Sequence, residues 1–155
     1  MSKGIQQVFV TALTANDATA KEALGTIRFG STGKIYKYVQ YSDAAVAAVA
    51  GQVTYYVAAT GYAANQVTSD LSDSDEVGAG VLQAALTDQY YGWIQIKGQA
   101  TLTIALTDGQ DGDALTPTGA TDGTLDVVVT TVALSHICAF AGDISAKEIL
   151  CDFPW

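Results

Sequence analysis

The chain has 155 residues and a net charge of −9, with 15% charged and 49% hydrophobic residues. That length corresponds to one domain able to bury a real core, and the composition excludes intrinsic disorder. The acidic balance argues against nucleic acid and against anionic membrane as partners, since both reward Lys and Arg.

Taken in chain order, Asn16 followed by DATAKEAL and Gly25 offers an N-cap, helix formers and a terminating glycine, and predicts a short helix. GSTGK (Gly30–Lys34) is too short for a phosphate-cradling loop and reads as a hairpin turn. Ile35–Tyr41 alternates with the period of a strand, placing Tyr36 and Tyr38 on one face and Ile35 and Val39 on the other. Because Ile35 and Val39 already supply a core face, the tyrosine face is expected to meet a partner. Ser42-Asp43 before AAVAAVA and Gly51 predicts a second short helix. Val53–Val57 is β-branched and aromatic, favouring a strand. Trp93–Lys97 predicts a strand with Ile94 and Ile96 inward, and Gly98 marks either a bulge or a tight connection. Thr101–Leu106 repeats the alternation, residues 108–123 carry turn residues at the density of a long loop, and Leu125–Val132 predicts a strand covered on both faces. The reading is mainly β, a compact barrel or sandwich with one or two short helices.

Charge is unevenly spread. Residues 1–40 carry five basic and two acidic side chains, residues 41–155 two and fourteen; such asymmetry suits a basic region docking on an acidic neighbour, or arises by chance among so few charges. MSKGIQQVFV lacks the apolar run of a secretory signal, and Ala44–Ala50 is far too short to span a bilayer, so synthesis in a cytoplasm is expected. Cys138 and Cys151 then read as buried free thiols.

Candidate chemistry is sparse. His136 and Cys138 share a strand face at spacing two, but no elbow, oxyanion loop or orienting acid accompanies them, and packing is the better reading. Asp70–Glu76 and Asp108–Asp113 are oxygen-rich, yet neither fits the calcium-loop pattern, and solvated acidic loops are favoured. With one histidine and two cysteines, a structural zinc site of four soft ligands cannot be assembled from this chain alone. No cofactor and no catalytic residue are expected.

The order of motifs carries more. ALGTIRFGSTGKIYKYVQY (Ala23–Tyr41) is followed by VGAGVLQAAL (Val77–Leu86), then YYGWIQIKG (Tyr90–Gly98), then GDAL (Gly112–Leu115), and finally HICAFAGDISAKEILCDF. This series resembles the capsid decoration, or cement, proteins of tailed bacteriophages, with "YGWIQ" its most specific part; the late "G.A" stretch departs from the pattern as Cys138–Gly142. The resemblance implies a β-tulip-like domain over residues 26–155 with an extended N-terminal arm over residues 1–25. It implies a virion protein on the exterior of the expanded head, in trimers or dense clusters, clamping the major capsid protein against DNA pressure without catalysis. The contacts it implies are Arg28, Tyr36, Tyr38, Tyr91, Trp93 and Gln95. Trp155 joins them on physical grounds: an aromatic tail ending Phe-Pro-Trp either packs into a groove or exposes a sticky end, and packing on its own domain or on a neighbouring copy is the favoured reading. Two alternatives remain open. One is another minor virion component, such as a tail or head-fibre base. The other is a carbohydrate-binding β-sandwich in which Trp93 and Tyr91 stack on sugars.

Overall fold

A computed structural model describes residues 8–129 and 136–155. Among these residues the chain forms ten strands and one short helix. In chain order they are β1 (Ile27–Phe29), β2 (Ile35–Tyr41), β3 (Val53–Val57), α1 (Gly61–Ala64), β4 (Gln66–Thr68), β5 (Ser74–Leu82), β6 (Tyr91–Thr101), β7 (Ala114–Thr116), β8 (Asp126–Val127), β9 (Ala139–Asp143) and β10 (Glu148–Asp152). The mainly β expectation therefore holds.

The pairings run in a circuit. β2 pairs in parallel with β4; β4 pairs antiparallel with β3, β3 with β5, β5 with β6, and β6 returns to β2. β1 lies beside the first half of β2, and β10, β9, β7 and β8 extend from β6 in that order. Closing strands on themselves removes exposed edges and gives alternate residues one shared interior. Val39 and Tyr41 of β2, Val53 and Tyr55 of β3, Val67 of β4, Val81 of β5 and Ile94 and Ile96 of β6 meet in one buried cluster. Gly78 lets this core close, since a Cβ there would stand 2.9 Å from Cys138 Sγ and from a ring carbon of Phe153.

The hairpin turn at residues 30–34 is present, with Gly30 donating to Lys34 O at 2.8 Å. Gly98 does not separate two strands: β6 runs through it to Thr101, with φ +88° at the glycine. Beside it the register with β2 jumps from Ile35–Lys97 to Tyr36–Gln95, which leaves Ile96 as the extra residue of a bulge. The buried Gln95 holds this bulge, its Nε2 donating to Lys97 O at 3.0 Å and Gln99 O at 2.9 Å.

Both predicted helices are absent. After Asp43, whose carboxylate does accept Ala45 and Val46 N–H, the backbone groups a helix would need are taken by side chains. Tyr41 donates to Val46 O at 2.8 Å and Gln52 Oε1 accepts from Val49 N–H at 2.9 Å. An Ala-rich run also buries too little area to outweigh those bonds. In the earlier segment Asn16 bonds residue 87 rather than its own first turn, and Asp17 forms a β-bridge to Tyr91. The one helix, α1, went unforeseen; it has a single turn ending at Asn65 with φ +53°.

Thr101–Leu106 keeps the inward Leu102 but leaves the ladder after Thr101. Residues 108–123 are not wholly loop, because Ala114–Thr116 form β7. The Leu125–Val132 strand is realised at Asp126–Val127, with residues 130–132 outside the described part. Among the described residues no helix is long and apolar enough to cross a membrane.

Candidate functional site

Residues 8–17 explain the aromatic stretch at the start of β6. Here side chains alternate without interruption between outward and inward, Val8, Val10, Ala12, Thr14 and Asn16 facing solvent while Phe9, Thr11, Leu13, Ala15 and Asp17 turn toward the sheet. Period-two alternation is the property of an extended chain on a surface. The surface is the outer face of β2 and β6, opposite the core, where Tyr36, Tyr38 and Trp93 form a second buried cluster with Phe9, Leu13 and Tyr91 against it.

The contacts are specific. Phe9 meets Trp93 edge to face with ring centres 5.6 Å apart, and Tyr38 packs edge-on to Trp93 at 5.1 Å and stacks with Tyr91 at 6.4 Å. Trp93 Nε1 donates to Thr11 Oγ1 at 2.9 Å. Arg28 donates to Thr11 O at 3.0 Å, with its guanidinium 5.0 Å from the Phe9 ring centre and 5.8 Å from that of Trp93. The Glu22 carboxylate accepts Val10 N–H at 2.8 Å, Thr11 N–H at 3.2 Å and the Thr11 hydroxyl at 3.2 Å. Further along, Asp17 and Tyr91 exchange two backbone bonds, and Lys21 N–H donates to Tyr38 Oη at 3.2 Å. Burial raises the Tyr38 and Tyr36 phenols above their ordinary value, opposed at Tyr36 by Arg28.

Five of the seven residues singled out in the sequence, Arg28, Tyr36, Tyr38, Tyr91 and Trp93, thus meet on one face, and Gln95 adjoins them through its pairing with Tyr36. Their burial is supplied by the chain's own N-terminal segment. Tyr38 and Trp93 have no exposed surface, so the tyrosine face expected to meet a partner is covered in cis. Phe9, Thr11, Leu13 and Glu22 were missed, although the alternation through VFVTALTAND was legible.

Trp155 lies elsewhere and is about half exposed, at 52%. Its ring stands 6.2 Å from that of Phe29, which is 70% exposed, and its carbonyl accepts from Tyr62 Oη at 3.0 Å, Tyr62 being 55% exposed. Three aromatics distant in sequence therefore meet at an open surface. Behind them Lys37, almost fully buried, donates to Tyr56 Oη at 3.0 Å and lies 5.3 Å from the ring centres of both Tyr56 and Tyr62. Burial pushes the Lys37 amine down and the Tyr56 phenol up.

The groups weighed for chemistry lie apart from both aromatic sites. Cys138 and Cys151 are buried and unbridged, their thiols driven upward by burial, Cys151 to about 12. His136 is half-buried just ahead of β9. The fold adds Asp43 to the acidic loop, so that carboxylate oxygens of Asp43, Asp70 and Asp73 come within 4.8 Å of one another. Those of Asp43 and Asp70 also cap local turns, accepting from Ala45, Val46 and Ser72.

Compared with known proteins, the chain matches no family model, no curated protein and no solved structure.

Proposed function

We propose that the protein is a capsid decoration protein of a tailed bacteriophage, binding the outer surface of the expanded head and holding neighbouring major-capsid subunits together. The observation that carries this reading is the open aromatic surface of Phe29, Tyr62 and Trp155. Scattered exposed apolar residues are ordinary, whereas a grouped set marks an interaction site. Here two contacts hold the group together: the Tyr62 hydroxyl donates to the Trp155 backbone carbonyl, and the Phe29 ring stands beside the indole. Large aromatics with few rotatable bonds are the usual anchors of protein contacts. The order of motifs along the chain supports the same assignment, and many copies on one shell would multiply modest contacts into a firm clamp.

The sugar-binding alternative needs Trp93 and Tyr91 open to solvent; Trp93 has no exposed surface, Phe9 and Leu13 pack against its cluster, and Tyr91 is partly buried beside it.

The test is cosedimentation of the purified chain with undecorated expanded heads and with unexpanded shells, counting bound copies. Saturable binding at many copies per expanded head, weakened at least about tenfold by the paired change Phe29→Ala and Trp155→Ala, is expected for loss of two anchors. A folded chain that binds no more than a control protein would overturn the proposal for that head and bring a glycan screen forward.

A further inference from the structure

The sheet beneath residues 8–17 is complete without them. Tyr36, Tyr38 and Trp93 stand on β2 and β6, which pair with each other and with the rest of the ring. The covering segment belongs to no sheet ladder. Its backbone is held by one bridge at Asp17, by the Glu22 carboxylate at residues 10 and 11, by the Arg28 guanidinium at the Thr11 carbonyl, and by a short-range bond from Ala15 to Ala12. Segments with few ladder bonds and a solvent-facing half open at a small fraction of the global free energy. Residues 18–20, Ala-Thr-Ala, are all exposed and lie between the bridge at Asp17 and the anchor at Lys21, where a hinge would do least damage.

What the segment fills is a shaped receptor. Phe9 packs against both the Trp93 ring and the Arg28 guanidinium, which also touch each other. Thr11 supplies the acceptor that the buried Trp93 N–H requires and the carbonyl that Arg28 binds, while Leu13 packs beside Phe9 on the same cluster. One residue separates successive anchors, the spacing by which an extended peptide presents one face.

We propose that this trough is a receptor for an extended segment of the form Phe-x-Thr-x-Leu, filled in the isolated chain by residues 9–13, and that the same segment of a second copy replaces it when chains are crowded. Exchange of an identical element preserves each contact, so its balance is set by hinge freedom and local concentration rather than by new chemistry. The outward face left on the bound segment carries Val8 and Val10, 78% and 73% exposed, which gives a neighbouring copy apolar surface to cover. The inference stands independently of whether the chain decorates a phage head.

The probe is a fluorescein-labelled peptide of residues 8–17, added to the full chain and followed by anisotropy. The receptor is full-length Phe9→Ala, whose own segment is weakened, with folding checked by circular dichroism; should that variant not fold, full-length Thr11→Val takes its place. Saturable binding is expected, at least about tenfold tighter than to the wild-type chain, which must first release its own segment. A peptide carrying Thr11→Val should bind roughly tenfold more weakly for one lost hydrogen bond. With Trp155→Phe added to the receptor, Trp93 is the sole indole, and bound peptide should shield it from acrylamide. In sedimentation, an equimolar mixture of wild-type and Phe9→Ala chains should form a two-chain species that grows with concentration and is absent from Phe9→Ala alone. No saturable binding to a folded receptor, or equal binding of the Thr11→Val peptide, would overturn the receptor. A mixture that stays monomeric, or a two-chain species equally present in Phe9→Ala alone, would overturn exchange between copies.

Discussion

Trp93 and Thr11 are 82 positions apart, and the indole N–H of one finds its acceptor in the hydroxyl of the other at 2.9 Å. That bond ties the N-terminal segment to the strand that carries the most distinctive motif of the sequence. An indole buried on β6 must place its N–H on something, and among the described residues its acceptor is the Thr11 hydroxyl. Thr11→Val keeps the shape and removes the oxygen, leaving a donor unpaired in a dry site. The expected loss is about 1–3 kcal/mol, which lowers the melting temperature by about 2–10 °C in a chain of this size. Thr11→Ser should restore most of it. Thermal melts of the three chains decide the matter, and an unchanged melting temperature for Thr11→Val would mean that the bond contributes nothing.

At Gly92 the strand has no room for a side chain beneath the segment. A Cβ there would lie 2.9 Å from Ala15 O and closer still to the Leu86 side chain. Gly92→Ala must therefore push the segment away or displace Leu86. We expect a cost of about 1–3 kcal/mol, as for overpacking elsewhere, together with faster amide exchange at residues 9–17 but not within β3 or β4. Hydrogen exchange by mass spectrometry resolves the two regions, and uniform acceleration would show that the substitution damages the core instead.

Lys37 is a cation on the core side of β2 that donates to a neutral phenol, that of Tyr56. Burial lowers its folded-state pKa below the unfolded value. The unfolded chain then binds the extra proton between those two values, so stability gains a contribution as pH rises through this window and the full penalty applies below it. The buried phenols of Tyr55 and Tyr56 are shifted upward, so their contribution is intact below pH 10, the ordinary tyrosine value, and is lost above it. Lys37→Met should therefore flatten the rise on the alkaline side of neutrality while leaving the fall above pH 10. Urea titrations from pH 7 to 11 on both chains measure the difference; parallel profiles would show that Lys37 is solvated in solution.

Cys138 and Cys151 should behave as small hydrophobes. Both are buried, and with thiols pushed far above neutrality neither presents a thiolate at pH 8. An aromatic disulfide reagent should label neither thiol on the native chain within an hour and both in guanidinium chloride. Fast native labelling would place a thiol at the surface and reopen the pairing with His136 as a reactive site.

The strands were the legible part. Ile35–Tyr41 and Trp93–Lys97 alternate because a pleated chain turns successive side chains to opposite sides, a constraint that acts between neighbours and so is written locally. The turn at Gly30–Lys34 and the burial of the cysteines follow from equally local preferences. The misread helices show the limit of such reasoning. Ser42–Ala50 has the cap and the helix formers, but Tyr41 and Gln52 capture the backbone groups a helix would use, and their positions depend on the ring of strands.

What the sequence by itself determined is thus a mainly β chain, the two-faced strands within it, and the tyrosines and tryptophan that line one face of two of them. Tertiary structure alone decided which aromatic face stays open. The outer face of Tyr36, Tyr38 and Trp93 is closed by residues 9–17, and the face left open is built from Phe29, Tyr62 and Trp155. The reason is physical: alternation assigns a side chain to a side of its own strand, but whether that side is covered depends on pairings between residues tens of positions apart. Those pairings are set by closure of the whole ring, in which no single stretch carries the information.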